Sequence, residues 1–340
     1  MRKTSNQAGF SLPELLIAMG IMLAISGAAV TALLKMTTAQ ATIWNRTQMH
    51  SGIRGATEVL QQEVGQAGRI ALPMDATGTP YVVLLTSAVT VPVTTPITPV
   101  TATLTIDSTK PSGDETEGMF LNQKLVVGTG DAQETVTVTA LSNNSITAAF
   151  SKSHAPGEPV LALGAFGTGI VPPAVSPSTY APSGATFTYA NGSTGEVLKL
   201  YGDINADGNM VYIEYTCDTA TPFNLYRNVM AWNFAGPKVA PSASQVLLSN
   251  VRPNPNSTPC FTYQTAVVGG NVYVTDVAIT LTVRTQLIDP VTKQFQTQTK
   301  ALLNVSPRNT FNAWQMASLG IVERIQPMPA TVAALLPPVP

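Results

Sequence analysis

Between Phe10 and Leu34 the chain runs for 25 residues with a single charged side chain, Glu14. As a helix this run is about 37 Å long, against a bilayer hydrocarbon core of roughly 30 Å, so it is long enough to cross a membrane. A helix that is apolar all round must be covered, by lipid or by other helices. Pro13 falls in the first turn, where its missing N–H costs nothing. Glu14 is the anomaly: a carboxylate in an apolar helix costs about 2.5–3.5 kcal/mol at mid-membrane and less near the interface, so it calls for a partner. An ordinary secretory signal would carry a shorter apolar core and a small-residue cleavage site beyond it, and only the Ala-rich stretches around Ala28 and Ala39 hint at one.

After Lys35 the helical period continues with a polar face. Ile53, Thr57, Leu60, Val64 and Ala67 recur every three to four residues, and Gly65, Gly68 and Pro73 close the segment. One helix of about 60 residues is therefore expected from Phe10 to near Ile70. Ile43 and Trp44 would lie close to the membrane or to a neighbouring helix.

The segment Gly9-Phe10-Ser11-Leu12-Pro13-Glu14-Leu15-Leu16-Ile17-Ala18-Met19 closely resembles the class III signal of type IV prepilins and pseudopilins. The resemblance implies cleavage after Gly9 by a membrane-embedded prepilin peptidase, N-methylation of the new terminus at Phe10, and pairing of Glu14 with the terminal ammonium of a neighbouring subunit. It also implies an α+β, type IV pilin-like fold: a long N-terminal helix with an apolar first half, packed on an antiparallel β-sheet head. The implied partners are the peptidase, major and minor pilins, the inner-membrane assembly platform and the inner membrane itself. The chain would be a single-pass inner-membrane protein with a cytoplasmic N-terminus, then part of a pilus at the cell surface. The family's frequent mid-helix Pro is missing, and Thr31 stands in its place.

The remaining organisation follows from composition and period. Charged residues are 11% of the chain, with 26 Pro and 25 Gly, which suits an extracytoplasmic β protein better than a cytosolic helical one. A formal net charge of −1 gives no electrostatic footprint for nucleic acid. The expected layout is leader 1–9, membrane or filament-core helix 10–34, amphipathic continuation 35–72, an inserted small all-β module with a Pro/Ser/Gly linker over 73–180, a pilin-like β head over 181–325, and a flexible Pro-rich tail over 326–340. Thr-Val-Thr-Val-Thr at 135–139 alternates as a strand does, and so does 273–284, while 197–201 and 210–215 read as strands separated by a turn. The inserted module is read as a display surface or a decorative loop. His154 is read as a lone polar residue in a turn.

Asp203, Asn205, Asp207 and Glu214 satisfy the calcium-loop pattern D-x-[DN]-x-[DN]-G-x5-E, which makes Ca2+ a candidate ligand. The flanks read as strands, so the alternative is a β-hairpin turned by Asp207-Gly208. Cys217 and Cys260 are the only cysteines and are expected to pair as one disulfide in an exported chain. With His50 and His154 they match no zinc spacing. Asp114, Glu115 and Glu117 sit in a polar loop context. There is no phosphate loop, HExxH, GxSxG or CxxC, and two His leave little general-base capacity, so a structural protein is expected rather than an enzyme. Leu225-Tyr226-Arg227 and Ser306-Pro307-Arg308-Asn309 resemble the heads of PilW-type minor pilins and J-type pseudopilins. The resemblance thus implies a minor pilin, with a minor pseudopilin of a type II secretion system as the alternative. An uncleaved, membrane-anchored surface adhesin is the alternative of another class.

Overall fold

The computed structural model describes residues 11–70, 82–91, 98–106, 115–177 and 186–338. Contacts divide the chain into two units, one of residues 1–51 and 284–298 and the other of 52–283 and 299–340. Helix α1, Leu12–Gln66, contributes to both.

In the first unit the helical residues 12–36 expose their apolar side chains on every face. The hydroxyls of Thr31, Thr37, Thr38 and Thr42 each donate to a carbonyl three or four residues back. These threonines therefore present no unsatisfied hydroxyl to an apolar surrounding. The other part of the unit, 284–298, is an ordered loop built around Asp289. Its carboxylate accepts the N–H groups of Val291 at 2.8 Å and Thr292 at 2.9 Å, and the Gln296 amide at 2.7 Å.

The second unit starts with the amphipathic end of α1. Ile53, Thr57, Leu60, Val64 and Ala67 are all buried, as their spacing predicts. Gly68, at φ +81°, ends the helix in the left-handed conformation that glycine adopts without a Cβ penalty. The segment there is crossed so closely that a Cβ on Gly169 would lie 2.1 Å from the Gly68 Cα.

Six strands then close a small barrel: β1 Val83–Leu85, β2 Val100–Ile106, β3 Lys124–Val127, β4 Glu134–Ser142, β5 Ser145–Ala148 and β6 Pro159–Leu161, in the order β1-β2-β5-β4-β3-β6. Alternation fills it. Val136 and Val138 of β4 point inward with Leu125, Ile146 and Phe150, while Thr135, Thr137 and Thr139 face out. Closure removes the free sheet edges that so short a set of strands would otherwise expose.

The chain returns through β7 Ala165–Phe166, β8 Val175–Pro177 and β9 Thr186–Thr188. The head carries two antiparallel sheets. One has the order β10 Val197–Gly202, β11 Val211–Cys217, β12 Asn224–Ala231, β13 Val246–Ser249. The other joins β14 Val251–Arg252 and β15 Phe261–Val268 to β16 Asn271–Arg284, which also pairs with β17 Thr297–Val305. After α2, Arg308–Ser318, come β18 Ile325–Gln326 and α3 Ala330–Leu335. The long helix followed by antiparallel sheets, with a closed barrel between them, is the expected α+β pilin-like class.

Two expected boundaries need correction. The insertion expected over 73–180 is a barrel confined to 83–161. Residues 165–171 belong to the head, where β7 pairs with β18 and Ile170 bridges to Leu200. The tail expected to be flexible over 326–340 is folded through residue 338. Val332, Leu335 and Leu336 share a core with Phe166, Tyr201 and Tyr212, and the buried Lys199 ammonium donates to the Leu336 carbonyl at 2.7 Å. Pro and Ala dominate the segment's composition, but its few large apolar side chains decide where it goes.

Candidate functional site

Gly9 and Phe10 lie outside the described residues, so the N-terminal site is seen from Ser11 onward. Ser11 caps α1: its carbonyl accepts the Leu15 N–H at 3.1 Å. Glu14 reaches back to Ser11 and accepts from both its backbone N–H and its hydroxyl, each at 3.2 Å. This is half of a capping box, in which a carboxylate in the first turn satisfies an orphan donor. Ser-x-x-Glu is written in the sequence, yet reading Glu14 only as a charge in need of a partner overlooked it. The geometry aims the carboxylate at the helix N-terminus, the positive end of the helix dipole.

A second carboxylate on α1 was not singled out by sequence. Glu63 is buried and accepts from the Tyr215 hydroxyl and from the Arg227 guanidinium, whose Nε lies 2.9 Å from Oε1. Tyr215 and Arg227 face each other across β11 and β12, so one helix carboxylate fastens two strands at once. Burial pushes the Tyr215 phenol up, and the neighbouring Glu63 adds to this, so the hydroxyl stays a donor. A charged residue in the apolar face of an amphipathic helix was the available signal.

The candidate calcium residues are only partly brought together. Asp203 and Asp207 share the β10–β11 loop, where the Asp207 N–H donates to Asp203 at 3.1 Å, and Asn205 is exposed at its tip. The cation facing Asp203 is Arg69, at 3.4 Å. Burial raises the Asp203 carboxyl above its ordinary range, against the opposing pull of Arg69. Glu214 sits three register positions along the hairpin, opposite Lys199, and accepts from Tyr212 and Lys238 at 2.7 Å each. Among the described residues, no group of three or more His, Cys, Asp or Glu is placed to hold a metal.

His154 is not the lone residue its turn suggested. It is buried in the barrel wall, with Nδ1 2.6 Å from Glu158 and Nε2 2.9 Å from Glu134. The partners are 4 and 20 residues away in sequence, too scattered for a motif. Burial pushes the Glu134 carboxyl up, but donors from Ser151, His154 and the Lys152 N–H outweigh it and hold it below the ordinary carboxylate range. A depressed folded-state pKa contributes stability above the unfolded value of about 4.5, and that stability is lost as pH falls through the folded one. Thermal unfolding scanned from pH 6 to pH 3 is therefore expected to show the melting temperature dropping below about pH 4.5. Glu134→Gln is expected to flatten part of that slope.

Cys217 and Cys260 are bonded, both buried, with Cα atoms 6.4 Å apart and a sequence separation of 43. The bond ties the end of β11 to the start of β15 and so links the two sheets. For a loop of that length the chain-entropy estimate is about 4 kcal/mol at most. Replacing both cysteines by Ser should lower the unfolding free energy by up to about that much. Urea unfolding of the two forms side by side measures the difference.

The family model described as the prokaryotic N-terminal methylation motif matches residues 4–30. The match covers Gly9 and Phe10, the Ser11–Glu14 cap and the apolar run as far as Val30. The chain is type IV pilin-like. No curated protein and no solved structure matches it. The motif supports a pilin-like or pseudopilin-like substrate of prepilin peptidase. Its N-terminal helix is long and apolar enough to cross a membrane, which with the motif suggests anchoring through the N-terminus.

Proposed function

We propose that this pilin-like chain is a minor pilin of a type IV pilus, of the PilW type, that takes part in pilus initiation or tip display. The observation that carries the reading is the barrel at 83–161. It has its own core, separate from the residues that bury α1 against the sheets, so it adds surface to the head without being needed for helix packing. Display is the use that such an addition serves. Before assembly the chain is a single-pass inner-membrane protein with its N-terminus in the cytoplasm. Its partners are the peptidase, the assembly platform and other pilins. Glu14, already aimed at the helix terminus, pairs with the Phe10 ammonium of the next subunit as the helix leaves the membrane. In the apolar surrounding each charge needs the other.

Quantifying the chain in sheared surface filaments and in membranes tests this reading. The expected result is recovery in the sheared fraction, far below the major pilin in amount. Confinement to membranes in a cell that assembles pili would instead make it a pseudopilin of a secretion system.

A further inference from the structure

A cavity of about 360 Å³ opens in the second unit, between the start of β16, the segment around β18 and strand β3 of the barrel. That volume falls within the roughly 300–1,000 Å³ of small-ligand sites. Lys124, Tyr189, Asn271, Tyr273, Ile325 and Met328 are among the residues that line it. Its frame is fixed. The buried Gln326 accepts the Lys124 N–H at 3.0 Å and donates to the carbonyls of Lys124 at 2.8 Å and Leu163 at 2.9 Å, so β3 is fastened to β18. Gly167 belongs to the same wall, and a Cβ there would lie 2.9 Å from Tyr273 Cε1. The Tyr273 ring lies against that glycine, which brings its hydroxyl end to the cavity.

The unused hydrogen-bonding capacity around this space is mostly that of donors. Tyr273 is 3% exposed, yet its hydroxyl meets no hydrogen-bond partner among the described residues. An unpaired buried hydroxyl is costly and calls for a partner from outside the chain. The Tyr189 oxygen faces the Val272 N–H, which leaves its own proton to give. Burial raises both phenols above their ordinary range, so both remain protonated at neutral pH. The Lys124 ammonium donates to the Val322 carbonyl and has further N–H groups to offer. No acidic residue lines the cavity, so these donors suit an anion. The rest of the lining says what carries the charge. The tyrosine rings with Ile325 and Met328 suit an apolar face, and the exposed Asn271 amide offers both a donor and an acceptor. A pyranose ring bearing a carboxylate has all three parts: a C–H face, a rim of hydroxyls and one negative group.

We propose that this cavity binds an acidic sugar, a hexuronic acid unit, with its carboxylate on the Lys124 and tyrosine donors and its ring on the apolar wall. The proposal goes beyond the pilin reading, and its failure would leave that reading intact.

Saturation-transfer NMR tests it on the full chain, in a detergent whose headgroup carries neither sugar nor carboxylate, with glucuronate, glucose and benzoate titrated as probes. Glucuronate should bind most tightly of the three. Tyr273→Phe keeps the ring and removes only the hydroxyl. It should weaken glucuronate binding at least about fivefold, as loss of a hydrogen bond to a charged group does. The melting temperature should not fall, because that hydroxyl has no partner to lose. Lys124→Met should abolish the preference for glucuronate over glucose. Glucose bound as tightly as glucuronate overturns the part given to charge, and benzoate bound as tightly overturns the part given to the hydroxyls. Glucuronate binding that Tyr273→Phe leaves unchanged puts the ligand elsewhere. Each of these sinks the proposal, and so does the absence of transfer to every probe.

Discussion

Glu63→Ala should be among the most destabilising single substitutions in the head, costing about 3 kcal/mol, because it leaves the Arg227 guanidinium and the Tyr215 hydroxyl partnerless in a mostly buried site. The Arg227 side chain is 29% exposed, so the cost lies at the low end for a broken buried pair. The charge itself is not what the fold requires. Glu63→Leu combined with Arg227→Met should recover much of the loss, since a buried ion pair replaced by apolar groups of similar size is often neutral. Thermal unfolding of the full chain in detergent distinguishes the two cases. A melting temperature unchanged in Glu63→Ala would mean that the helix is held by apolar packing alone.

The second large effect belongs to assembly rather than to folding. Glu14→Ala should still be cleaved after Gly9, because the peptidase cuts on the other side of Phe10, but its incorporation into filaments should fall at least about tenfold. Leaving an ammonium without its counter-charge in an apolar helix bundle costs on the order of 2–3 kcal/mol, more than enough for that factor. The Ser11 cap complicates a simple reading, because Glu14 also serves its own helix. Ser11→Ala separates the roles. It removes the hydroxyl that meets the carboxylate at 3.2 Å, should cost the helix terminus about 1 kcal/mol, and should leave incorporation largely intact. Equal loss in both variants would reduce Glu14 to a cap.

What could be read from the sequence depended on the range of the interaction. Helix α1 was legible because its period is local and long. Strand β16 was legible through alternation, the β10–β11 hairpin through two apolar runs around Asp207-Gly208, and the cysteine pair through parity and compartment. The barrel's closure was not. Its strands alternate well enough, but β1 must pair with both β2 and β6, and no short-range signal specifies that. Glu63 meets Arg227 across 164 residues, and His154 finds Glu134 across 20. Such pairs exist only once the chain has folded. The end of the chain misled for a different reason: Val332 and Leu335 are too few to show a period, yet both are fully buried. At the candidate site the opposite happened. Ser11 and Glu14 stand at capping-box spacing, and the local meaning was overlooked in favour of the distant one.

The central claim is that this chain is processed as a prepilin. Mass spectrometry of its N-terminal peptide, taken from cells with an active prepilin peptidase, tests that most directly. The account predicts a terminus at Phe10 carrying one methyl group on its amine, with residues 1–9 absent. An intact Met1 on the membrane-bound protein would contradict it, and would leave a head anchored by an uncleaved helix.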